Sequence, residues 1–232
     1  MHLRQFRYSV DNFSYLLFGT RTAMAIDGGA IEAILRCTDK LGLTLAWVTN
    51  THSHPDHTVG NRELLSKTRA EFLNFSQLSA EEHIELDGEC VSVIPTPGHT
   101  LDSVSFRVDG ALITGDTLFN GTVGNCFSGD LESFYRSINR LKAFPAEWLV
   151  YAGHDYLRDA MAVARRLEPG NRNIDRYLKG YDAGHVVSTL GDELLVNPYL
   201  RYNEPGLIQV MHKRGLRTDT EYDRWESVMA LE

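Results

Sequence analysis

Thr51-His52-Ser53-His54-Pro55-Asp56-His57 is the stretch on which the reading of this chain turns. Three of the chain's nine histidines fall within six residues here, and Asp56 sits among them. Residues i and i+2 of an extended segment point the same way, so His52 and His54 can grip one cation from one side. Pro55 forces a bend and suits the first position of a helix, which Asp56 and His57 then continue. Their side chains diverge from the first pair, so one short loop can serve two neighbouring ions.

Two ions need more donors than this loop carries, since each takes at least four. His99, Asp116 and His154 are the candidates. Each follows an expected strand and is preceded by a glycine, at 98, 115 and 153, that lets the backbone turn tightly and present a ligand. Asp27, after another expected strand, is either a turn former or an acceptor that orients one of the ligating histidines. His2, His83, His185 and His212 are assigned no role.

Outward from the loop, Leu43–Thr49 reads as a buried strand that feeds it, and 59–68 as a helix that follows it. Strands are expected at Phe13–Phe18, Thr22–Ile26, His83–Leu86, Cys90–Ile94, Ser103–Val108, Ala111–Thr114 and Trp148–Ala152. Helices are expected at 30–41, stopped by Gly42, and at Leu131–Leu141, where Leu131, Phe134, Tyr135, Ile138 and Leu141 form one stripe. From Leu157 the pattern turns helical. Strands with occasional helices, then a helical tail, imply a layered α/β sandwich with a helical appendage. The domain reading is a ligand-bearing core over 1–156 and a C-terminal helical, substrate-covering segment over 157–232.

The chain has 232 residues, enough to bury a full core, and 43% are hydrophobic. No apolar run is long enough for a membrane span, and the first residues do not read as a signal peptide. Three widely spaced cysteines (37, 90, 126) form no disulfide framework, which points to a reducing, cytoplasmic setting. A net charge of -8 weighs against nucleic acid as a partner. Neither a nucleophile elbow nor a phosphate-binding glycine loop is present.

The loop resembles the signature of the metallo-β-lactamase superfamily. Thr96-Pro97-Gly98-His99-Thr100, Thr114-Gly115-Asp116-Thr117-Leu118-Phe119 and Tyr151-Ala152-Gly153-His154-Asp155-Tyr156 match its later motifs in order. The likeness runs from about Phe13 to about Arg201. Within the superfamily the chain is most similar to glyoxalase II, the hydroxyacylglutathione hydrolases, through Gly115–Phe119, Glu168-Pro169-Gly170-Asn171, Ser188–Glu193 and Asn197-Pro198-Tyr199-Leu200-Arg201.

That resemblance implies an αββα sandwich with a small C-terminal helical segment. It implies two divalent ions, zinc first, with iron or manganese also suited to a mixed nitrogen and oxygen donor set. His52, His54 and His99 would hold one ion, Asp56, His57 and His154 the other, with Asp116 bridging. The implied reaction is hydrolysis of a small-molecule thioester or related ester by a metal-bridging hydroxide that Asp56 orients. Substrate contacts would come from Asn125, Phe127, Tyr156 and Arg201. Asn125 and Phe127 stand where the family usually has a basic residue and a tyrosine, so the thiol carrier stays open, as does the oligomeric state. Three rival readings remain: a persulfide dioxygenase with a single iron on His52, His99 and Asp116, a nuclease of the superfamily, and a non-catalytic metal-binding protein.

Overall fold

A computed structural model describes residues 1–74 and 83–231. Two sheets form the centre. The first contains β1 (His2–Tyr8), β2 (Asn12–Phe18), β3 (Thr22–Ile26), β4 (Thr44–Thr49) and β5 (Glu71–Phe72), paired in that order. The second contains β6 (His83–Leu86), β7 (Glu89–Pro95), β8 (Val104–Val108), β9 (Ala111–Gly115), β10 (Leu149–Ala152) and β11 (Ser188–Thr189), likewise in sequence order.

Side chains alternate across a strand, and β2 shows what this does when both faces are covered. Phe13, Tyr15 and Leu17 face the second sheet and pack with Val91, Val93, Phe106 and Ile113. Leu16 and Phe18 face outward and pack with Ile34 of α1 (Ile31–Leu41) and Leu64 of α3 (Asn61–Lys67). The far side of the second sheet is covered by α4 (Leu131–Lys142), whose Phe134, Ile138 and Leu141 pack with Leu112 and Val150. Helix, sheet, sheet, helix is the layer order, as expected of the αββα sandwich.

The helix expected over 59–68 is found as α3, and the turn that Pro55 was expected to open is a separate short helix, α2 (Pro55–Thr58). Gly60, between them, lies against the Gly28 backbone, where a Cβ would stand 2.1 Å from the carbonyl oxygen. The first strand, β1, was not foreseen. The segment after Leu157 is also not wholly helical. It comprises α5 (Leu157–Leu167), α6 (Asn173–Lys179), α7 (Leu190–Val196), α8 (Pro205–Lys213) and α9 (Glu221–Met229), but β11 within it pairs antiparallel with β10. Glu193 of α7 fastens this junction. Its fully buried carboxylate accepts from Ser188 Oγ (2.7 Å), the Gly121 amide (2.8 Å), Asn197 Nδ2 (3.0 Å) and the Tyr177 hydroxyl. Trp225 of α9 is fully buried in the same outer core as Phe134. No helix among the described residues is long and apolar enough to cross a membrane.

Strand direction places the site. β3 and β4 run parallel, as do β9 and β10, and β7 is antiparallel to β8, which is antiparallel to β9. The C-terminal ends of β4, β7, β9 and β10 therefore deliver the four ligand-bearing loops to one edge of the sandwich, and β3 delivers Asp27 there. β2 runs the other way, so its first residue, Asn12, arrives at the same edge. Two bonds tie the sheets together there: Phe13 N–H donates to the Gly153 carbonyl (2.9 Å), and Val104 N–H to the Thr51 carbonyl (2.8 Å).

Candidate metal centre

At this edge the seven expected donors come together in two groups. His52, His54, His99 and Asp116 form one, and Asp56, His57 and His154 the other. In the first, His54 Nδ1 lies 2.9 Å from His52 Nε2 and 3.1 Å from His99 Nε2. In the second, His57 Nε2 is 3.1 Å from His154 Nε2, which is 3.3 Å from Asp56 Oδ2. Asp116 faces both groups. Its Oδ2 is 3.5 Å from His99 Nε2 and 3.4 Å from His154 Nε2, and its Oδ1 is 3.3 Å from His57 Nε2.

The opposite ring nitrogens decide what the inward ones can be. His99 Nδ1 faces the Asn125 carbonyl oxygen (2.9 Å), His57 Nδ1 faces Asp27 Oδ2 (2.9 Å) and His154 Nδ1 faces Asp11 Oδ1 (3.2 Å). Carbonyls and carboxylates only accept, so each Nδ1 donates and each Nε2 of a neutral ring keeps a lone pair. His52 Nδ1 is placed to donate to Thr51 Oγ1 (3.1 Å). Lone pairs thus converge at about 3 Å, which is repulsive unless positive charge sits among them. Ligand nitrogens about 2.0–2.1 Å from a tetrahedral ion stand roughly 3.3 Å apart, close to the spacing found. Asp116 Oδ1 is buried and makes no hydrogen bond, an orphaned acceptor of the kind a cation satisfies.

The electrostatics agree. Burial, then the neighbouring His57, pushes the His52 imidazole down to about 4, so it is neutral and able to ligate near pH 7. Burial also lowers His57, but Asp27 and Asp116 on either side outweigh it and raise its pKa well above the ordinary value. Burial raises the Asp116 carboxyl, yet His154 and His57 overcome this and hold it far below the usual carboxylate range. Both effects mark a spot that calls for positive charge. The residues present fit two divalent ions.

Asp27 is fully buried with a left-handed φ of 52°. Its Oδ1 accepts from the Thr51 amide (2.8 Å), and its Oδ2 from the Thr51 hydroxyl (2.8 Å) as well as from His57. It therefore bears on one histidine of each group, on His57 directly and on His52 through Thr51. Of the three glycines before ligands, Gly98 and Gly115 have positive φ (149° and 51°), while Gly153 provides space: a Cβ there would stand 2.1 Å from Asp116 Oδ1.

Sequence reasoning missed the contribution of the first hairpin. Asn12 Nδ2 donates to Asp56 Oδ2 (2.9 Å), the Tyr8 hydroxyl donates to the Asp56 carbonyl (2.7 Å), and Asp11 holds His154. An Asp-Asn pair between two strands looks like a turn, and nothing local marks it as support for a metal site.

Three of the four expected substrate contacts surround the centre. Tyr156 stacks on His154 with centroids 5.1 Å apart and an interplanar angle of 5°. The Phe127 ring lies 5.6 Å from that of His54 and 5.2 Å from that of His99 and is largely exposed. Asn125 holds His99 through its carbonyl. Arg201 is not brought to the centre. Its guanidinium forms a two-pronged ion pair with Glu168 (2.9 Å on each prong) and donates to the Leu194 carbonyl (3.1 Å). Cations matched in fork geometry to a carboxylate are committed to it, which accounts for the departure.

Similarity to known proteins agrees with this geometry. Residues 74–154 match the metallo-beta-lactamase superfamily, and 155–230 match the hydroxyacylglutathione hydrolase C-terminus. The hydroxyacylglutathione hydrolase of Pseudoalteromonas translucida is 31% identical, over 95% of this chain and 93% of its own. The chain belongs to the hydroxyacylglutathione hydrolase family. Another member, from Methylobacillus flagellatus, is 34% identical over 85% of this chain and 86% of its own. Among solved structures, ETHE1 from Myxococcus xanthus superposes with a TM-score of 0.70 at 26% identity, covering 99% of each chain. The BLEG-1 B3 metallo-beta-lactamase shares the fold, with a TM-score of 0.65 at 22% identity, over 86% of this chain and 99% of its own.

Proposed function

We propose that this family member hydrolyses a small-molecule thioester or related ester at a centre of two divalent ions, with zinc the first candidate. The observation that carries the reading is the second donor group. Asp56, His57 and His154 are complete beside the first group, whereas a single-iron centre on His52, His99 and Asp116 would leave them without a task. Bound ions would polarise the substrate carbonyl and lower the pKa of water from 15.7 to about 7.

The chain's own residues would do the rest. His52, His54 and His99 would hold one ion and Asp56, His57 and His154 the other, with Asp116, which faces both groups, available to each. Asp56 is half-exposed, with Oδ2 held by Asn12, and would orient the attacking water. Burial, then Asp11, pushes the Tyr156 phenol up to about 12, so it remains a hydrogen-bond donor at the mouth. A thiolate of pKa about 8.5 leaves without protonation, so a thioester suits a centre with no placed general acid better than an amide does. Three unpaired cysteines fit a reducing compartment such as the cytoplasm.

The test is His54→Ala and Asp116→Ala. Each should lose bound metal and thioesterase activity together. Activity that survived in metal-free variants would refute the mechanism.

A further inference from the structure

Beside the second donor group is a cavity of about 200 Å³, lined by Phe119, Thr122, Asn125, Tyr156, Asp159 and Val163 among others. It adjoins the reacting centre. Tyr156 stacks on His154, Phe119 lies 5.1 Å from Tyr156 and 6.0 Å from His154, and Asn125 holds His99. A substrate whose carbonyl sits between the two donor groups would have an arm within reach of this cavity.

The cavity's charge runs against an anionic arm. Among the described residues that line it there is no lysine or arginine, and its charged side chain is Asp159, in the first turn of α5. Arg158, two residues beyond Tyr156, lies 4.9 Å over the Tyr181 ring, and Arg7 pairs with Asp155 (2.6 Å), the residue before Tyr156. Asp56 and Asp11 are engaged by the metal centre and by His154, so Asp159 is the charge that this cavity itself presents. Large apolar side chains are also exposed on the ligand loops themselves, at Val59, Leu101 and Phe127.

We propose that this cavity receives a carboxylate-free arm of the thioester, bearing an amide or an amine, and that Asp159 sets this preference. The inference rests on the thioesterase reading and narrows its substrate class. Glutathione carries two carboxylates, so a glutathione thioester is disfavoured here despite the family's name. A carboxylate brought about 6 Å from Asp159 at the solvent-facing mouth is penalised about 3- to 10-fold, and salt weakens the penalty.

The experiment uses the metal-loaded protein and one hydroxyacyl group carried on glutathione, on N-acetylcysteamine and on 2-(dimethylamino)ethanethiol, with succinyl-N-acetylcysteamine to place charge at the acyl end. kcat/KM at low ionic strength should be about 3- to 10-fold lower for the arm that carries carboxylate. A penalty on glutathione assigns the cavity to the thiol arm, and a penalty on succinyl assigns it to the acyl arm. Asp159→Asn should shrink the gap and Asp159→Lys should reverse it, with bound metal unchanged. Equal or better use of anionic arms at both ends, or ratios unmoved by both folded variants, overturns the inference alone. No hydrolysis of any thioester with both ions bound overturns the thioesterase reading as well.

Discussion

Asp27→Asn separates an orienting role for Asp27 from mere turn formation. Asparagine tolerates the left-handed backbone at this position, so the turn survives. Hydrogen-bond direction does not. In the native chain the carboxylate accepts three bonds, from the Thr51 amide, the Thr51 hydroxyl and His57 Nδ1. The introduced amide has one accepting end. If its oxygen faces the Thr51 amide, its NH2 faces His57 Nδ1, and the imidazole relieves the clash by moving its proton to Nε2. That nitrogen then cannot ligate without losing the proton again. If the amide is turned over, two buried donors oppose each other at the Thr51 amide, at a cost of about 1–3 kcal/mol. A tautomer change is the cheaper solution. Loss of such an orienting partner typically weakens metal binding by roughly 10- to 100-fold, or about 1.4–2.7 kcal/mol. Competition with a chromophoric chelator reads this directly. The variant should release one ion at chelator concentrations where the native protein keeps two, with the ion on Asp56, His57 and His154 leaving first. Two ions held with constants within about 2-fold of native would refute the reasoning.

Gly153→Ala places a methyl against Asp116 Oδ1 and His57, so it should cost about 1–3 kcal/mol and reduce metal stoichiometry, as checked by thermal melts and elemental analysis. Arg201→Ala breaks a largely buried ion pair, so it should lower stability by about 2–3 kcal/mol while the folded enzyme keeps its substrate preference; denaturant melts and kcat/KM separate the two. Asp87 supplies a pH test. The amides of Arg21 and Thr22 and the Thr22 hydroxyl hold its carboxyl at about 2, below its ordinary 3.8. A depressed folded value means its contribution is present above pH 4 and is lost as pH falls through 2. Asp87→Asn should flatten that part of the acid limb in Tm against pH.

The sequence announced the ligands because metal chemistry confines them to few residue types at strand ends, and strand direction brought His99, Asp116 and His154 to the loop at 52–57. β2 and β3 were legible as strands at Phe13–Phe18 and Thr22–Ile26, where apolar residues crowd together. β1 was not, since its polar Arg4, Gln5 and Arg7 break the pattern of an edge strand whose partner is 10 or so residues away. With it went Tyr8, Asp11 and Asn12. Arg201 shows a different limit: a matching motif marks it as a substrate contact, while its pairing with Glu168, 33 residues earlier, has no local signal.

The placement of β11 bears on how the chain assembles as it is made. All seven ligand positions have been synthesised by His154, but the free edge of β10 is closed only when Ser188 and Thr189 arrive and Glu193 gathers its four donors. For that interval a nascent chain would present a finished ligand set on a sheet with an open edge. An ion captured then would clasp the two sheets before the last helices cover them, and a chain starved of metal would expose that edge to its neighbours for longer.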